Sequence, residues 1–181
     1  IARPRGELSE LLAISQPKVR LSDMVLPDAI LSRIRRILSE QHHLAKIRSH
    51  GLCPRQKLLL VGPPGCGKTM TAAVLAGELG VPIFVVRLET LITKFMGETA
   101  AKLRLIFDAI ENTRAVYLFD EFDSIGSRRG LTNDVGEMRR VLNSFLSFID
   151  QHRSTSIVIA ATNLPQSLDE AFVHSLPFPV R

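Results

Sequence analysis

Apolar residues along the chain gather into short runs, and these runs alternate with longer stretches in which apolar positions recur every three or four residues. The runs of strand length are Leu58–Val61, Ile83–Val86, Ala115–Phe119 and Ile157–Ala161. Helical spacing predicts helices between Pro27 and Gly51, from about Lys68 through Leu79, around Thr99–Ile110 and over residues 134–151. This alternation is typical of an α/β fold, in which a parallel sheet is covered by helices on both faces.

The first 25 residues lack a regular pattern, because two prolines and a glycine interrupt any long element. A short helix over Leu8–Ile14 is the element that we expect there. We therefore predict an N-terminal linker over residues 1–25 and one domain over residues 26–181, incomplete at its C-terminal end.

Composition narrows the class of protein. With 181 residues, of which 45% are hydrophobic and 23% charged, the chain can form one compact domain, which excludes a disordered or collagen-like protein. Its two cysteines, Cys53 and Cys66, provide no disulfide framework, so we expect a reducing, cytoplasmic location. No apolar run approaches the roughly 18 residues of a spanning helix. Since the first residue is Ile1 rather than Met, we expect a piece of a longer soluble protein.

The net charge of the chain is +5, but its basic residues are scattered rather than gathered in one block. A modest basic excess of this kind permits an acidic partner and does not demand nucleic acid.

The first apolar run leads into a loop with a regular pattern of glycines. Residues 62–69 read GPPGCGKT and match G-x-x-x-x-G-K-[ST] in full, between a predicted strand and a predicted helix. Glycines let successive N–H groups point at one anion, and the helix start adds a positive dipole end. Lys68 can reach the β and γ phosphates of a nucleotide, and the Thr69 hydroxyl can ligate Mg²⁺. The pattern predicts an ATP site.

Two carboxylates follow the third run directly, and an amide follows the fourth. Because the carboxyl ends of parallel strands meet where ligands bind, we expect Asp120 to hold Mg²⁺ with Thr69, and Glu121 to act as catalytic base toward water. Asn163 either bonds the water or a γ-phosphate oxygen, as a second catalytic group, or supports its own turn. The predicted nucleotide-binding residues are Gly62, Pro63, Pro64, Gly65, Cys66, Gly67, Lys68, Thr69, Met70 and Asp120.

Taken together, these motifs resemble the AAA family of ring ATPases. The resemblance covers about residues 21–171 and rests on GPPGCGKT, KFMGE, VYLFDEFDSIGSRRG and AATNLPQSLDEA. It implies a three-layer αβα P-loop NTPase domain with ATP and Mg²⁺ as cofactors, which assembles into a homo-hexamer and pulls on other macromolecules. It also implies that Lys94, Phe95 and Met96 lie in the loop that lines the central pore. From the residues alone, Phe95 can instead belong to the core.

The chain departs from the family pattern near its end. In the family, an Arg-rich segment after the sensor Asn supplies the arginine finger to the neighbouring subunit, whereas here Arg181 is the one arginine after Asn163. The arginine finger is therefore unknown, and the small helical lid domain of the family is not present in this chain. Residues 178–179 resemble the next strand of the family. The resemblance also assigns Met24–Pro27 and Gly51–Leu52 to the flanks of the adenine pocket.

These observations lead to one main hypothesis on function and two alternatives. The main hypothesis is an ATPase that unfolds, remodels or translocates a protein substrate through a hexameric ring. The first alternative is a nucleic-acid-remodelling ATPase of the same superfamily, which the +5 charge leaves open. The second is a nucleotide-dependent assembly scaffold with little hydrolysis, which an absent arginine finger would suit.

Overall fold

The structure is a computed structural model that describes residues 6–94, 98–122, 134–163 and 179–180. Its helices are α1 (Glu7–Leu11), α2 (Asp28–His42), α3 (Leu44–Ser49), α4 (Lys68–Leu79), α5 (Leu88–Lys94), α6 (Thr99–Asn112) and α7 (Asp134–Gln151), with a 3-10 turn over Leu21–Asp23. Its strands are β1 (Leu12–Ser15), β2 (Lys57–Val61), β3 (Ile83–Val86), β4 (Val116–Phe119), β5 (Ile157–Thr162) and β6 (Pro179–Val180). None of the helices in these ranges has the length and apolar character needed to cross a membrane.

The strands form one sheet in the order β1-β3-β4-β5-β2-β6. All neighbouring strands from β3 to β6 in this order pair in parallel, and β1 pairs antiparallel with β3 at one edge. Every residue of β4 and β5 is buried, as expected for central strands that are covered on both faces. The predicted α/β fold is confirmed, and β6 lies where residues 178–179 suggested a strand.

Side chains that alternate along the strands divide the core into two apolar clusters. Tyr117 and Phe119 of β4 belong to a cluster with α1, α5, α6 and α7. Within it, the rings of Phe119 and Phe145 pack edge to face, with their centroids 4.8 Å apart. Val116 and Leu118 belong to the cluster on the opposite face, with α2 and α4. The period of two that characterises a strand thus produces three layers, helices on either side of the sheet.

Tertiary contacts change some of the local expectations. The helix expected between Pro27 and Gly51 is interrupted at His43, whose φ and ψ are −102° and 21°, and this turn separates α2 from α3. The helix expected over Leu8–Ile14 ends at Leu11, because Leu12–Ser15 pairs with β3. Edge pairing of this kind depends on a distant partner strand, so a local pattern does not reveal it.

The segment before the 3-10 turn is bonded to the C-terminal end of α4. The Arg20 guanidinium donates a hydrogen bond to the Gly77 carbonyl at 2.5 Å, and the Leu21 N–H donates one to the Glu78 carboxylate at 2.7 Å. A Cβ placed on Gly77 would lie 2.2 Å from the Val19 carbonyl oxygen. Gly77 therefore allows a backbone-to-backbone approach that no other residue permits.

Gly77→Ala should destabilise the domain. In a free helix this change favours folding by about 1 kcal/mol, but here the added methyl overlaps the Val19 carbonyl oxygen, and overpacking typically costs about 1–3 kcal/mol. Chemical denaturation of wild type and variant would measure the difference. An unchanged or higher midpoint of unfolding would contradict the close packing of this segment on α4.

His152 is buried just after α7, and its side chain is fully shielded from solvent. Its Nδ1 lies 3.0 Å from a carboxylate oxygen of Glu111, and its Nε2 lies 3.3 Å from the Ser154 hydroxyl. Burial lowers the pKa of His152 below its ordinary value of 6.5; Lys57 adds to this effect, while the Ser156 carbonyl and Glu111 oppose it. The native state therefore favours the neutral imidazole.

The free energy of unfolding should decrease as the pH falls below about 6.5, because unfolded His152 takes up a proton that the native state accepts only at lower pH. Denaturation midpoints at about pH 7.5 and about pH 5.5 would measure this decrease. His152→Gln should reduce the difference between the two midpoints, whereas His50→Gln, at an exposed position, should leave it unchanged. Equal pH dependence in the wild type and His152→Gln would refute the assignment.

Candidate active site

Polar residues follow three neighbouring strands at the carboxyl edge of the sheet. β4, β5 and β2 are adjacent in the sheet, and they are followed by Asp120, Asn163 and Gly62. The register aligns Val61 of β2 with Thr162 of β5, and the Gly62 N–H donates to the Thr162 carbonyl at 3.3 Å. The sheet therefore brings together at one edge groups that lie up to a hundred residues apart in sequence.

The loop from residue 62 to 67 turns the chain from β2 into α4, and together with Lys68 and Thr69 it is called the phosphate loop below. Gly65 and Gly67 have φ angles of 78° and 94°, in the left-handed region where glycine is favoured. The first hydrogen bond of α4 runs from the Thr71 N–H to the Gly67 carbonyl at 2.8 Å. The N–H groups of residues 68–70 precede that bond and have no acceptor within the helix. They and the helix dipole form an anion-binding end.

The Lys68 ammonium bridges this loop and the end of β5. It donates to the Gly62 carbonyl at 2.8 Å, to the Pro63 carbonyl at 3.0 Å and to Asn163 Oδ1 at 2.7 Å. A single cation thus connects the ends of two adjacent parallel strands. Its charge lies beside the N-terminus of α4, so the two positive features reinforce one another toward a phosphate.

The Thr69 hydroxyl and the Asp120 carboxylate form the second contact across the edge. Thr69 Oγ1 donates to Asp120 Oδ2 at 2.6 Å, and the Glu121 N–H donates to Asp120 Oδ1 at 2.9 Å. A hydroxyl and a carboxylate oxygen so close together are hard donors of the type that Mg²⁺ prefers.

Glu121 has a φ of 50°, and it is the non-glycine residue with positive φ among those that the structure describes. Its side chain is exposed. The next residue, Phe122, is 1% exposed and donates its N–H to the Ala161 carbonyl at 2.9 Å. Its ring packs on that of Phe145, with the two centroids 4.8 Å apart. A left-handed backbone costs a non-glycine residue on the order of 1–3 kcal/mol. The fixed neighbours maintain this conformation and present the carboxylate outward.

The groups at this edge fit a magnesium nucleotide by their chemistry. Free N–H groups and the Lys68 ammonium are donors for phosphate oxygens, and the Thr69–Asp120 pair provides oxygens for the ion. The loop is also closely packed, because a Cβ placed on Gly62 would lie 2.6 Å from Cys66 Sγ. A larger residue at position 62 would therefore displace the Cys66 side chain.

The remaining predicted site residues have different outcomes. Phe95 and Met96 lie outside the described residues, and Lys94 is the last residue of α5. The Met24 methyl lies 3.6 Å from a Cβ placed on Gly67, so the segment that begins at Met24 does reach the phosphate loop. The Gly51–Leu52 pair lines a cleft with Lys57 at the opposite end of β2, which contradicts its expected place beside the adenine pocket.

Sequence reasoning did not identify the part that Phe122 plays in positioning Glu121. The available signal was an apolar residue directly after two carboxylates, and such a residue returns the chain to the core. Its partners on β5 and α7 become evident only in the folded structure.

Comparison with known proteins bears on the identity of the chain. The sequence model of the AAA family, "ATPase family associated with various cellular activities", matches residues 58–179. An uncharacterized AAA family ATPase, y4kL of Sinorhizobium fredii, is 42% identical over 86% of this chain and 47% of that protein. The nuclear valosin-containing protein-like of Mus musculus is 35% identical over 84% of this chain and 18% of that protein. The ATP-dependent zinc metalloprotease FtsH of Helicobacter felis is 34% identical over 93% of this chain and 27% of that protein.

A solved structure supports the same conclusion. The crystal structure of the FIGL-1 AAA domain superposes with a TM-score of 0.75 at 26% identity, over 95% of this chain and 57% of that one. The chain spans less than half the length of the curated relatives named above. Because the family match covers more than half of the chain and includes the strand edge described above, the chain belongs to the AAA family of ATPases.

Proposed function

We propose that this chain is an ATP-hydrolysing domain whose active site is the carboxyl edge of β2, β4 and β5. The observation that supports this proposal most strongly is the convergence of Lys68 on Asn163 at 2.7 Å and of Thr69 on Asp120 at 2.6 Å. These contacts join the phosphate loop to the ends of β4 and β5. The same arrangement supplies a cation for phosphate and oxygens for Mg²⁺.

Each residue has a separate task in this proposal. Lys68 and the N–H groups at the start of α4 bind the phosphate oxygens, and Thr69 and Asp120 hold Mg²⁺. The bound ion supplies neutralisation of the phosphate charge that develops during transfer. Glu121 takes the proton of the attacking water at its carboxylate, and Asn163 orients that water or a phosphate oxygen through its amide. Positioning and electrostatics, rather than covalent chemistry, provide the rate.

The finer proposal is that hydrolysis drives remodelling, unfolding or translocation of a protein substrate by a homo-hexamer. Relatives named as ATP-dependent zinc metalloproteases cover most of this chain, and their name supports action on proteins. The residues Lys94, Phe95 and Met96 match the family's pore-loop motif in sequence. Both cysteines are free and exposed, which supports a reducing, cytoplasmic compartment.

Lys68→Ala should weaken ATP binding by more than tenfold. Loss of a charged partner to a buried phosphate costs about 2–5 kcal/mol, and the neighbouring N–H groups cannot replace the charge. Titration of a fluorescent ATP analogue into the full-length protein measures the affinity. Lys46→Ala, at an exposed position on α3, is the matched control and should bind as the wild type does. Equal affinities of Lys68→Ala and the control would overturn the phosphate site.

Glu121→Gln should leave ATP binding intact and lower turnover by about 10²–10⁴-fold, the usual contribution of a general base. The amide keeps the shape of the side chain and removes its capacity to take a proton. Phosphate release by the assembled full-length protein measures turnover, and Asp108→Asn on the exposed face of α6 is the control for charge. Turnover at the wild-type rate would show that Glu121 is not the base.

A further inference from the structure

A second cleft, of about 480 Å³, opens at the amino edge of the sheet. It lies beside the start of β2, the end of α3 and the turn before β5. The five residues of β2 separate it from the phosphate loop, roughly 13 Å away along the strand. The residues used in the argument below line it together: Arg48, Leu52, Cys53, Pro54, Lys57 and Arg153.

Three cations line this cleft without a carboxylate partner in the described part of the chain. Within the described ranges, no ion pair within 4.0 Å involves Arg48, Lys57 or Arg153, whereas Arg55 nearby is paired with Glu40. The Arg48 guanidinium donates to the Ser154 carbonyl at 2.8 Å, and the Arg153 guanidinium donates to the Asp150 carbonyl at 3.1 Å. Main-chain carbonyls orient both guanidinium groups, and no carboxylate among the described residues lies within 4.0 Å of either; the Glu111 carboxylate instead accepts the Arg153 main-chain N–H at 3.2 Å.

Lys57 is the partly buried member of the three. Burial lowers the pKa of its ammonium, Asp150 and Cys53 oppose that shift, and Arg153 adds to it. Asp150 is therefore an acid near Lys57, at more than ion-pair distance from its ammonium. A partly dehydrated ammonium beside a guanidinium gains more from an anion than a fully hydrated one does.

The cleft also offers apolar surface next to these charges. Leu52 is 63% exposed, and Pro54, which also lines the cleft, is buried. Among the residues that the structure describes, no Phe, Tyr or Trp side chain lines the cleft, and these residues therefore provide none of the stacking surface on which proteins bind single-stranded nucleic acid. Isolated cations next to an exposed aliphatic side chain are complementary to a peptide that has both carboxylates and an apolar residue.

We propose that this cleft binds an acidic peptide segment of a partner protein. Carboxylates of the peptide pair with Lys57 and Arg153, and an apolar side chain of the peptide packs on Leu52. The site is separate from the nucleotide edge, so it is a docking surface at the opposite end of the same strand.

A short fluorescein-labelled peptide of glutamates with two leucines tests this docking surface in the full-length protein, by fluorescence anisotropy. Wild type should bind it saturably, and binding should weaken as ionic strength rises. Lys57→Gln and Arg153→Gln should each weaken the affinity roughly two- to fivefold, the range of partly exposed ion pairs, and together roughly tenfold. Arg104→Gln, an equal loss of charge at an exposed position on α6, should leave the affinity unchanged.

Thiol protection provides a second measurement that does not depend on folding of the variants. Cys53 and Cys66 are both exposed, so saturating peptide should slow the alkylation of Cys53, measured by mass spectrometry, and leave Cys66 unaffected. Absence of saturable binding, equal binding by the double variant and the wild type, or equal protection of both thiols would overturn the proposal. Lysine- and arginine-dependent binding of a thymidine oligonucleotide in place of the peptide would overturn it as well. Because ATP binding is measured separately, this result does not depend on the nucleotide site.

Discussion

Parallel pairing of β2, β4 and β5 is the constraint on which the rest of this structure depends. Parallel neighbours start at one edge of the sheet and end at the other, so the residues that follow them are neighbours in space. Gly62, Asp120 and Asn163 share an edge for this reason. The pairing holds because the central strands are buried on both faces, where an unpaired backbone group would be costly. Helix packing and site geometry are thus consequences of one arrangement.

The contacts across that edge are polar. The two residues on one side of these contacts are neighbours in the sequence, whereas the two on the other side follow different strands. Lys68 and Thr69 are neighbours at the start of α4, and they reach Asn163 and Asp120 respectively. The phosphate loop therefore touches both adjacent strand ends through consecutive residues. A shift of α4 along its axis would change both contacts together, and the bond between Arg20 and the Gly77 carbonyl restrains the far end of that helix.

The two ends of β2 lie in different electrostatic environments. At the carboxyl edge, the Lys68 ammonium lies among oxygen acceptors, and the next residue, Thr69, contacts the Asp120 carboxylate. At the amino edge, Arg48, Lys57 and Arg153 lie without a carboxylate within ion-pair distance in the described residues. The first arrangement suits an anionic ligand that binds together with a metal ion. The second suits an anion whose negative charge balances the positive charge of the cleft. The two ends of this one strand thus differ in the groups that surround them.

The sequence by itself determined the alternation of strands and helices, the strand–loop–helix around residue 62 and the acids after β4. These features are local: apolar period, glycine spacing and the order of residue types reveal them without knowledge of distant partners. The sequence left open whether Asn163 faces the site. Its contact with Lys68 arises because β5, which Asn163 follows, lies next to β2 in the sheet. The antiparallel β1, the left-handed backbone of Glu121 and the cleft at Lys57 were decided by tertiary structure alone. Each depends on groups from separate elements that meet only when the sheet has formed, and for that reason no local pattern encodes it.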